Sequence, residues 1–143
     1  MHPKQICKDV ESMGAKLVLD GNDLFIENPE KVYPEIEEFI KGYKTRILKY
    51  LNGSYSDKEH NVRQTIDKII VFMRGIEQDN NSKIKNWINH DDESLTKILE
   101  LLVLLSKNGW VTNEPISNYE DEKTDKLSKQ IYDSAMNYFK GAS

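Results

Sequence analysis

Residues 16–29 read KLVLDGNDLFIENP, and this stretch decides how the first part of the chain folds. Two short apolar runs lie on either side of a polar, glycine-containing segment that is typical of a tight turn. With a loop from Asp20 to Asn22 or Asp23, four aliphatic residues fall on one face as two cross-strand pairs. These pairs are Leu17 with Ile26 and Leu19 with Leu24. We therefore predict a β-hairpin whose inner face, formed by these four residues, is turned toward a core.

The opposite face of the predicted hairpin, here called the outer face, carries a different set of side chains. Strand alternation places Val18 and Phe25 there as an apolar pair. Charged residues frame the pair, namely Lys16, Asp23 and Glu27. Because an aromatic ring on the solvated side of a two-stranded sheet has no cover of its own, we expect this face to meet another chain or another part of this one.

The residues around the hairpin are spaced for helices. Apolar residues recur at helical spacing before it, and Gly14 follows them, which predicts a helix over residues 3–13. After the hairpin, Pro34 opens a pair of helices that ends at Asn52-Gly53. Residues 1–53 therefore read α, β, β, α, α.

The remainder of the chain is predicted to form a separate domain. Residues 54–57 are polar and turn-prone, which places the boundary between domains 1–53 and 54–143. Beyond it only helices are indicated, by apolar stripes within residues 62–76, 84–88, 95–105 and 127–138. Residues 78–82 end the first stripe, and residues 111–122 are predicted to be a long acidic loop.

The most apolar stripe is predicted to be the centre of the second core. It consists of Leu95, Ile98, Leu99, Leu102, Val103 and Leu105. The fold class that follows is mainly α with one small β-hairpin, an αββαα module followed by a small helical bundle.

Composition and charge narrow the function classes. Hydrophobic residues make up 38% and charged residues 31% of the chain, which is typical of a charged helical protein that folds. The formal net charge of −4 lacks the basic character of a stand-alone DNA-binding protein. Cys7 is the only cysteine, which excludes an internal disulfide. Its position among apolar residues at helical spacing predicts a buried packing residue. The start does not read as a signal peptide and no apolar run reaches the length of a membrane span, so we expect a cytoplasmic protein.

The sequence contains no recognisable catalytic motif, such as a Gly-rich phosphate loop, a nucleophile elbow, HExxH or paired CxxC. One order of residues offers an alternative. His60, the His90-Asp91 doublet and Asp125 follow the ligand order of the HD metal-dependent phosphohydrolases, in which His and carboxylate groups hold a divalent cation. Asp91 and Asp125 also suit ordinary places at helix N-termini. We therefore predict a non-enzymatic protein without cofactor or metal, with the HD-type hydrolase as the third hypothesis.

Charged residues of the second domain leave a nucleic-acid hypothesis open. Lys83, Lys85 and Trp87 combine two cations with an aromatic ring, the ingredients of a single-strand contact. Trp87 is nevertheless predicted to pack in the core. The acidic groups at 91–93 and 120–122 could imitate phosphates, although such triplets are ordinarily helix N-termini or solvated loops. The alternative function is therefore a nucleic-acid-associated accessory protein of a phage or plasmid.

Residues 7–24 read CKDVESMGAKLVLDGNDL. In these residues the first domain resembles the TubC N-terminal docking domain, a β-hairpin docking module at the front of some nonribosomal peptide synthetase and hybrid synthase subunits. These residues follow that family's pattern of a helix ending in glycine, a hydrophobic strand, an acidic or Gly-bearing turn and a second strand beginning with leucine. Residues 34–44 and 46–51 are similar to its paired C-terminal helices, so the resemblance is confined to residues 1–53.

The resemblance implies a module that binds a short segment of another polypeptide and that frequently self-associates. A peptide laid along an exposed strand satisfies unpaired backbone groups, and side-chain pockets add selectivity. We assign this contact to four outer-face residues, Lys16, Val18, Phe25 and Glu27, with Phe25 as the anchor. Cover by the second domain and use in a homodimer are the alternative roles of Phe25.

Nothing after residue 54 resembles a condensation, adenylation, ketosynthase or carrier domain, so we do not expect a role in peptide assembly. The Lys-, Asn- and Ile-rich composition suits a low-GC bacterium, phage or plasmid. The leading prediction is a cytoplasmic docking or adaptor protein, dimeric, that recruits or blocks a larger protein.

Overall fold

The computed structural model describes residues 1–75 and 82–141 of the chain. Across these residues it contains seven α-helices and one two-stranded antiparallel sheet. The predicted fold class, mainly α with one small β-hairpin, is confirmed. The chain divides into two compact units, the first unit Met1–His60 and the second unit Asn61–Ser143. This boundary lies further along the chain than the one that the sequence predicts at 53/54.

The first unit follows the predicted αββαα order. Its elements are α1 (Pro3–Ser12), β1 (Lys16–Asp20), β2 (Asp23–Glu27), a short 3-10 helix (Pro29–Lys31), α2 (Pro34–Gly42) and α3 (Lys44–Leu51). Gly14 ends α1 with a φ of 92°, and the N–H of Ala15 donates to the carbonyl of Val10 over 3.2 Å, as in a Schellman motif. The chain therefore reverses from α1 directly into β1.

A small apolar core joins the hairpin to the helices of the first unit. Its buried residues are Ile6, Val10, Ala15, Leu17, Val32, Ile40 and Ile47. Cys7 packs against this core but is only partly buried, and that burial raises the pKa of its thiol. Cys7 therefore contributes packing, in a less enclosed position than the sequence predicts.

Residues 54–60 group with the first unit because two of them contact the N-terminal segment. The ring centroids of His2 lie 5.5 Å from Tyr55 and 4.4 Å from His60. The hydroxyl of Tyr55 lies 3.0 Å from Nδ1 of His60. The sequence suggests only a polar linker here, since a single buried tyrosine carries no periodic signal.

The second unit is a bundle of helices. The elements of this part of the chain are α4 (Asp57–Met73), which begins within the first unit, α5 (Ser82–His90), α6 (Asp92–Lys107), a short 3-10 helix (Ser117–Tyr119) and α7 (Glu122–Gly141). Trp87 is fully buried among Ile84, Ile88 and their neighbours, which confirms its predicted place in the core. Ile76 of the first predicted stripe and the predicted break at 78–81 lie outside the described residues.

The core-facing side of α6 differs in part from the prediction. Ile98, Leu101 and Leu105 are fully buried, whereas Leu99 and Val103 are exposed. Residues 98, 101 and 105 recur at helical spacing, and that spacing turns positions 99 and 103 away from the same side. A helix with so many apolar residues does not reveal from sequence which of them face inward. Among the described residues no helix, α6 included, has the length and apolar character needed to cross a membrane.

The segment predicted as a long acidic loop is more ordered than expected. Ile116 and Ser117 are buried, and the ring N–H of Trp110 donates to the carbonyl of Glu114 over 2.8 Å. Glu120 forms an ion pair with Arg63 of α4, and both side chains are only 2% exposed. The acidic character of this loop therefore serves an internal contact at Glu120 instead of a solvated surface.

Candidate protein-binding surface

The hairpin closes through a two-residue turn, which is shorter than the predicted loop. Asp20 pairs with Asp23 at the ends of the two strands, leaving Gly21 and Asn22 between them. Gly21 has a φ of 62°, a left-handed conformation that glycine adopts without strain. Glycine at the first turn position is typical of the II′ turn, whose twist matches that of the strands. This turn fixes the register of the hairpin.

The observed register is the one that the sequence predicts. Leu17 lies opposite Ile26 and Leu19 opposite Leu24 on the inner face. Leu17 is 4% exposed, and the two β2 residues are partly buried against the core of the first unit. The prediction that Leu19 faces the core is wrong, because Leu19 is 41% exposed and does not belong to that core. It occupies the strand position next to the turn, where the hairpin extends beyond the cover of the helices.

The four predicted site residues lie together on the outer face. Val18 is directly opposite Phe25, and Lys16 is directly opposite Glu27. Phe25 is 53% exposed, Val18 is half-buried, and both charged side chains are exposed. The outer face therefore presents one apolar pair beside one pair of opposite charges, an arrangement suited to a small, polar-rimmed protein contact.

The hairpin tip is anchored to the first unit by Asp23. Its carboxylate accepts a hydrogen bond from the N–H of Leu24 over 2.8 Å and lies 2.6 Å from Nζ of Lys44, the first residue of α3. The Lys44 ammonium, with the Leu24 N–H, lowers the pKa of Asp23. Both contacts favour the ionised carboxylate and hold the start of β2 toward α3.

The two outer edges of the sheet differ in how many of their backbone groups already have a hydrogen-bond partner. In an antiparallel hairpin, residues alternate between pairs that bond to each other and pairs whose backbone groups point outward. The closing pair of a two-residue hairpin is bonded, so Leu17, Leu19, Leu24 and Ile26 direct their N–H and C=O groups outward. Leu24 N–H is already bonded to Asp23. Within the described residues, Leu17 and Leu19 have no hydrogen-bond partner beyond the hairpin.

The residues of the HD-type hypothesis each have another partner. His60 contacts Tyr55, and His90 Nδ1 lies 2.7 Å from the carbonyl of Asn86. Burial lowers the pKa of His60, followed in effect by the neighbouring His2. Among the described residues no group of three or more His, Cys, Asp or Glu side chains is arranged to hold a metal ion. The sequence order therefore does not correspond to a cluster in the described parts of the chain.

The two aspartates of that hypothesis have structural contacts of their own. Asp91 caps α6 by accepting hydrogen bonds from the N–H of Ser94 over 3.0 Å and from its hydroxyl over 2.6 Å. These bonds to Ser94 lower the pKa of Asp91. Asp125 Oδ1 lies 2.9 Å from the Arg63 guanidinium. Both aspartates are thus occupied at helix N-termini, the ordinary role that the sequence also suggests.

The residues on which the nucleic-acid hypothesis depends differ in burial, so they do not form one surface. Lys83 and Lys85 are exposed, but Trp87 is fully buried and is not available to stack on a base. In the acidic group 120–122, Glu120 is buried against Arg63. The Trp87 ring does not lie at the surface, and the acidic group 120–122 is only partly exposed.

Sequence reasoning missed the buried ion pair of Arg63 with Glu120. Arg63 precedes Ile66 and Ile70 by three and seven positions, so its helical spacing is that of a core residue. That spacing was the available signal, and it is easily overlooked because arginine is almost never fully buried unless it is paired.

Comparison of the chain with protein-family models, curated proteins and solved structures yields no match. The resemblance to the TubC docking domain accordingly stays a prediction. The features of the chain that bear on its function are the outer face and the edges of the hairpin.

Proposed function

We propose that this chain is a non-enzymatic docking or adaptor protein that binds another protein through its β-hairpin. The observation that carries the proposal is the exposure of Phe25, at 53%, on a two-stranded sheet. Large aromatic residues contribute most to stability when they are covered, so an exposed one opposite Val18 is the natural anchor of a contact.

Backbone groups support the same role. A two-stranded sheet has an open edge on each side, and such edges accept an added strand from a binding partner. In this mode the partner's backbone bonds to the outward N–H and C=O groups of the hairpin. The affinity then comes from the backbone, and the selectivity comes from the side chains beside it.

Each of the four site residues has a distinct part in this proposal. Phe25 and Val18 supply the apolar contact, and Lys16 and Glu27 form a charged rim that admits a partner segment of complementary charge. Rim charges mainly influence the rate of association and the choice of partner, whereas a central aromatic residue dominates the affinity.

The compartment and source belong to the same proposal. A single cysteine fits a reducing compartment, and the composition agrees with a low-GC bacterium or one of its phages or plasmids. There the protein recruits or blocks a larger protein in the cytoplasm. Self-association through the hairpin is part of this proposed role.

Affinity capture from the native host with three baits tests the proposal. The baits are the wild-type chain, Phe25→Asp and the matched control Tyr33→Asp. Tyr33 is also an exposed aromatic of the first unit, and it precedes α2 at a position where aspartate is a favoured cap. Quantitative mass spectrometry is the readout, and far-UV circular dichroism verifies that helical content is retained.

The expected result is at least one protein enriched on the wild-type and Tyr33→Asp baits and reduced about tenfold or more on Phe25→Asp. Equal capture by all three folded baits overturns the proposal. Loss of helical content in Phe25→Asp also counts against it, since a residue of the outer face should not be needed for folding.

A further inference from the structure

Strand β1 is self-complementary about its central residue. Its sequence is KLVLD, from Lys16 to Asp20. If two copies pair antiparallel with Val18 opposite Val18, Lys16 of one copy lies opposite Asp20 of the other. The same register places Leu17 opposite the second copy's Leu19. Both ends of the pairing then join opposite charges, and the middle joins aliphatic residues, which are favourable cross-strand pairs.

The backbone fits the same register that the charges favour, because this register pairs both of the β1 residues whose groups point outward. The outward-pointing N–H and C=O groups on β1 belong to Leu17 and Leu19, which lack partners beyond the hairpin in the described residues. With Val18 at the centre, each Leu17 faces a Leu19 and the pair exchanges both hydrogen bonds. A shift by one residue would instead place these groups opposite backbone that is already bonded to β2.

The edge of β2 lacks this complementarity. Antiparallel self-pairing about Phe25 would place Asp23 opposite Glu27 at both ends, which is a repulsive arrangement. The N–H of Leu24 on that edge is already bonded to Asp23, and Asp23 is paired with Lys44. A parallel pairing of β1 with itself would oppose like charges as well. Of these three self-pairings, only the antiparallel pairing of β1 satisfies both the backbone groups and the charges.

The exposure of Leu19 has an explanation in this pairing. Leu19 is 41% exposed, whereas Leu17 is buried under the helices of the first unit. In the Val18-centred register the uncovered end of one inner face meets the covered end of the other. Leu19 thereby gains an apolar neighbour across the β1 edge, in addition to Leu24 within its own hairpin.

We propose that two copies of this chain pair β1 to β1, antiparallel and centred on Val18, into one continuous sheet of two strands from each copy. The outer faces then lie on the same side, and an apolar row runs across the sheet from Phe25 and Val18 of one copy to Val18 and Phe25 of the other. This inference rests on the proposed function, in which another chain binds at an open edge of the hairpin. It names a second copy of the protein as the occupant of the β1 edge. A different protein then meets the joined outer faces.

Charge reversal on the full chain tests this register. In Lys16→Asp both β1 ends are acidic, and in Asp20→Lys both are basic, so each variant opposes like charges in its own dimer. We expect the dimer dissociation constant to rise about tenfold for either variant at low ionic strength. An equimolar mixture of the two should recover a dimer of wild-type strength, because opposite charges then meet at both ends.

The matched control is Lys8→Asp. Lys8 is exposed on α1, outside the hairpin, so this substitution makes the same change of charge in the first unit as Lys16→Asp without placing a charge on the β1 edge. Sedimentation velocity over a concentration series measures self-association of all variants. We expect Lys8→Asp to associate as the wild type does.

Several results would overturn the inference. They are a wild-type chain that stays monomeric throughout the series, single variants that associate as strongly as the wild type, or a mixture that does not regain association. Association lost equally in Lys8→Asp also overturns it. A monomer that still shows Phe25-dependent capture refutes the paired register and leaves the proposed function standing, with a strand from the captured protein as the occupant of the edge. A charge-dependent dimer without Phe25-dependent capture supports the paired register and refutes the capture of a different protein.

Discussion

The two units treat comparable charges differently. In the second unit, Arg63 and Glu120 form an ion pair with both side chains 2% exposed, and Asp125 lies beside them. At the hairpin tip of the first unit, Lys44 and Asp23 pair with both side chains largely exposed. A buried charge is strongly destabilising without its partner, whereas an exposed pair contributes little to stability. The charge of Arg63 is therefore needed for the stability of the second unit, whereas the pair at the hairpin tip orients the start of β2 at little gain in stability.

Aromatic residues divide in the same way. Trp87 and Trp110 are buried in the second core, while Phe25 and Tyr33 of the first unit are exposed. The second unit thus places its largest side chains where they stabilise it, and the first unit leaves some where they can be covered by another chain. Because the two tryptophans of the chain both lie in the second unit, their fluorescence reports on that unit alone. Residue-resolved NMR reports on the first.

The largest expected effect is that of removing the buried arginine. Arg63→Ala leaves Glu120 buried without this partner, so we expect the free energy of unfolding of the second unit to fall by about 3–5 kcal/mol. Urea unfolding followed by tryptophan fluorescence measures it. The control, Lys129→Ala on an exposed position of α7, should change stability by no more than about 0.5 kcal/mol. If the two variants are equally stable, the contrast between the units is wrong.

A smaller effect is expected at the hairpin turn. Gly21 has a φ of 62°, and alanine in this left-handed region is strained by roughly 1–2 kcal/mol. Gly21→Ala should therefore increase hydrogen exchange of the hairpin amides while leaving the tryptophan unfolding curve unchanged. Asn22→Ala is the control, because Asn22 does not have a positive φ. Equal effects of both substitutions would argue against a turn that depends on Gly21.

The smallest expected effect is a pH dependence of the first unit. Burial first, then His2, the N-terminus and Arg46, lower the pKa of His60, and Asp57 opposes them. The folded state then binds fewer protons than the unfolded state, whose histidine pKa is about 6.5. This contribution to stability is fully present above that value and is lost as the pH falls through it toward the folded pKa.

The measurement is urea unfolding of the first unit, followed by NMR at a series of pH values from about 7.5 to about 5. His60→Gln should reduce the slope of stability against pH. His90→Gln, at the end of α5 in the second unit, should leave the slope of the first unit unchanged. An unaltered slope in His60→Gln would show that His60 does not carry the dependence.

The hairpin could be predicted from the sequence because its signals are local. Alternating apolar residues and a Gly-Asn turn fix the register of Val18 with Phe25 regardless of what surrounds them. The exposure of Leu19 could not be predicted, because it depends on which distant segment covers the position. The spacing of Arg63 does indicate a core position, but its partner Glu120 lies 57 residues away, so the ion pair could not be predicted. The orientation of α6 could not be predicted for a related reason. This helix is apolar on several sides, so tertiary packing decides which side is buried.

Hydrogen exchange of individual hairpin amides tests the central claim most directly. The N–H groups of Leu17 and Leu19 point outward from β1, whereas that of Val18 points toward β2. At low protein concentration we expect Leu17 and Leu19 to exchange rapidly while Val18 is protected. At high concentration, Leu17 and Leu19 should become protected as well. Rapid exchange of both leucines at every concentration, or their protection even in the dilute monomer, would contradict the claim that the β1 edge is open to another chain.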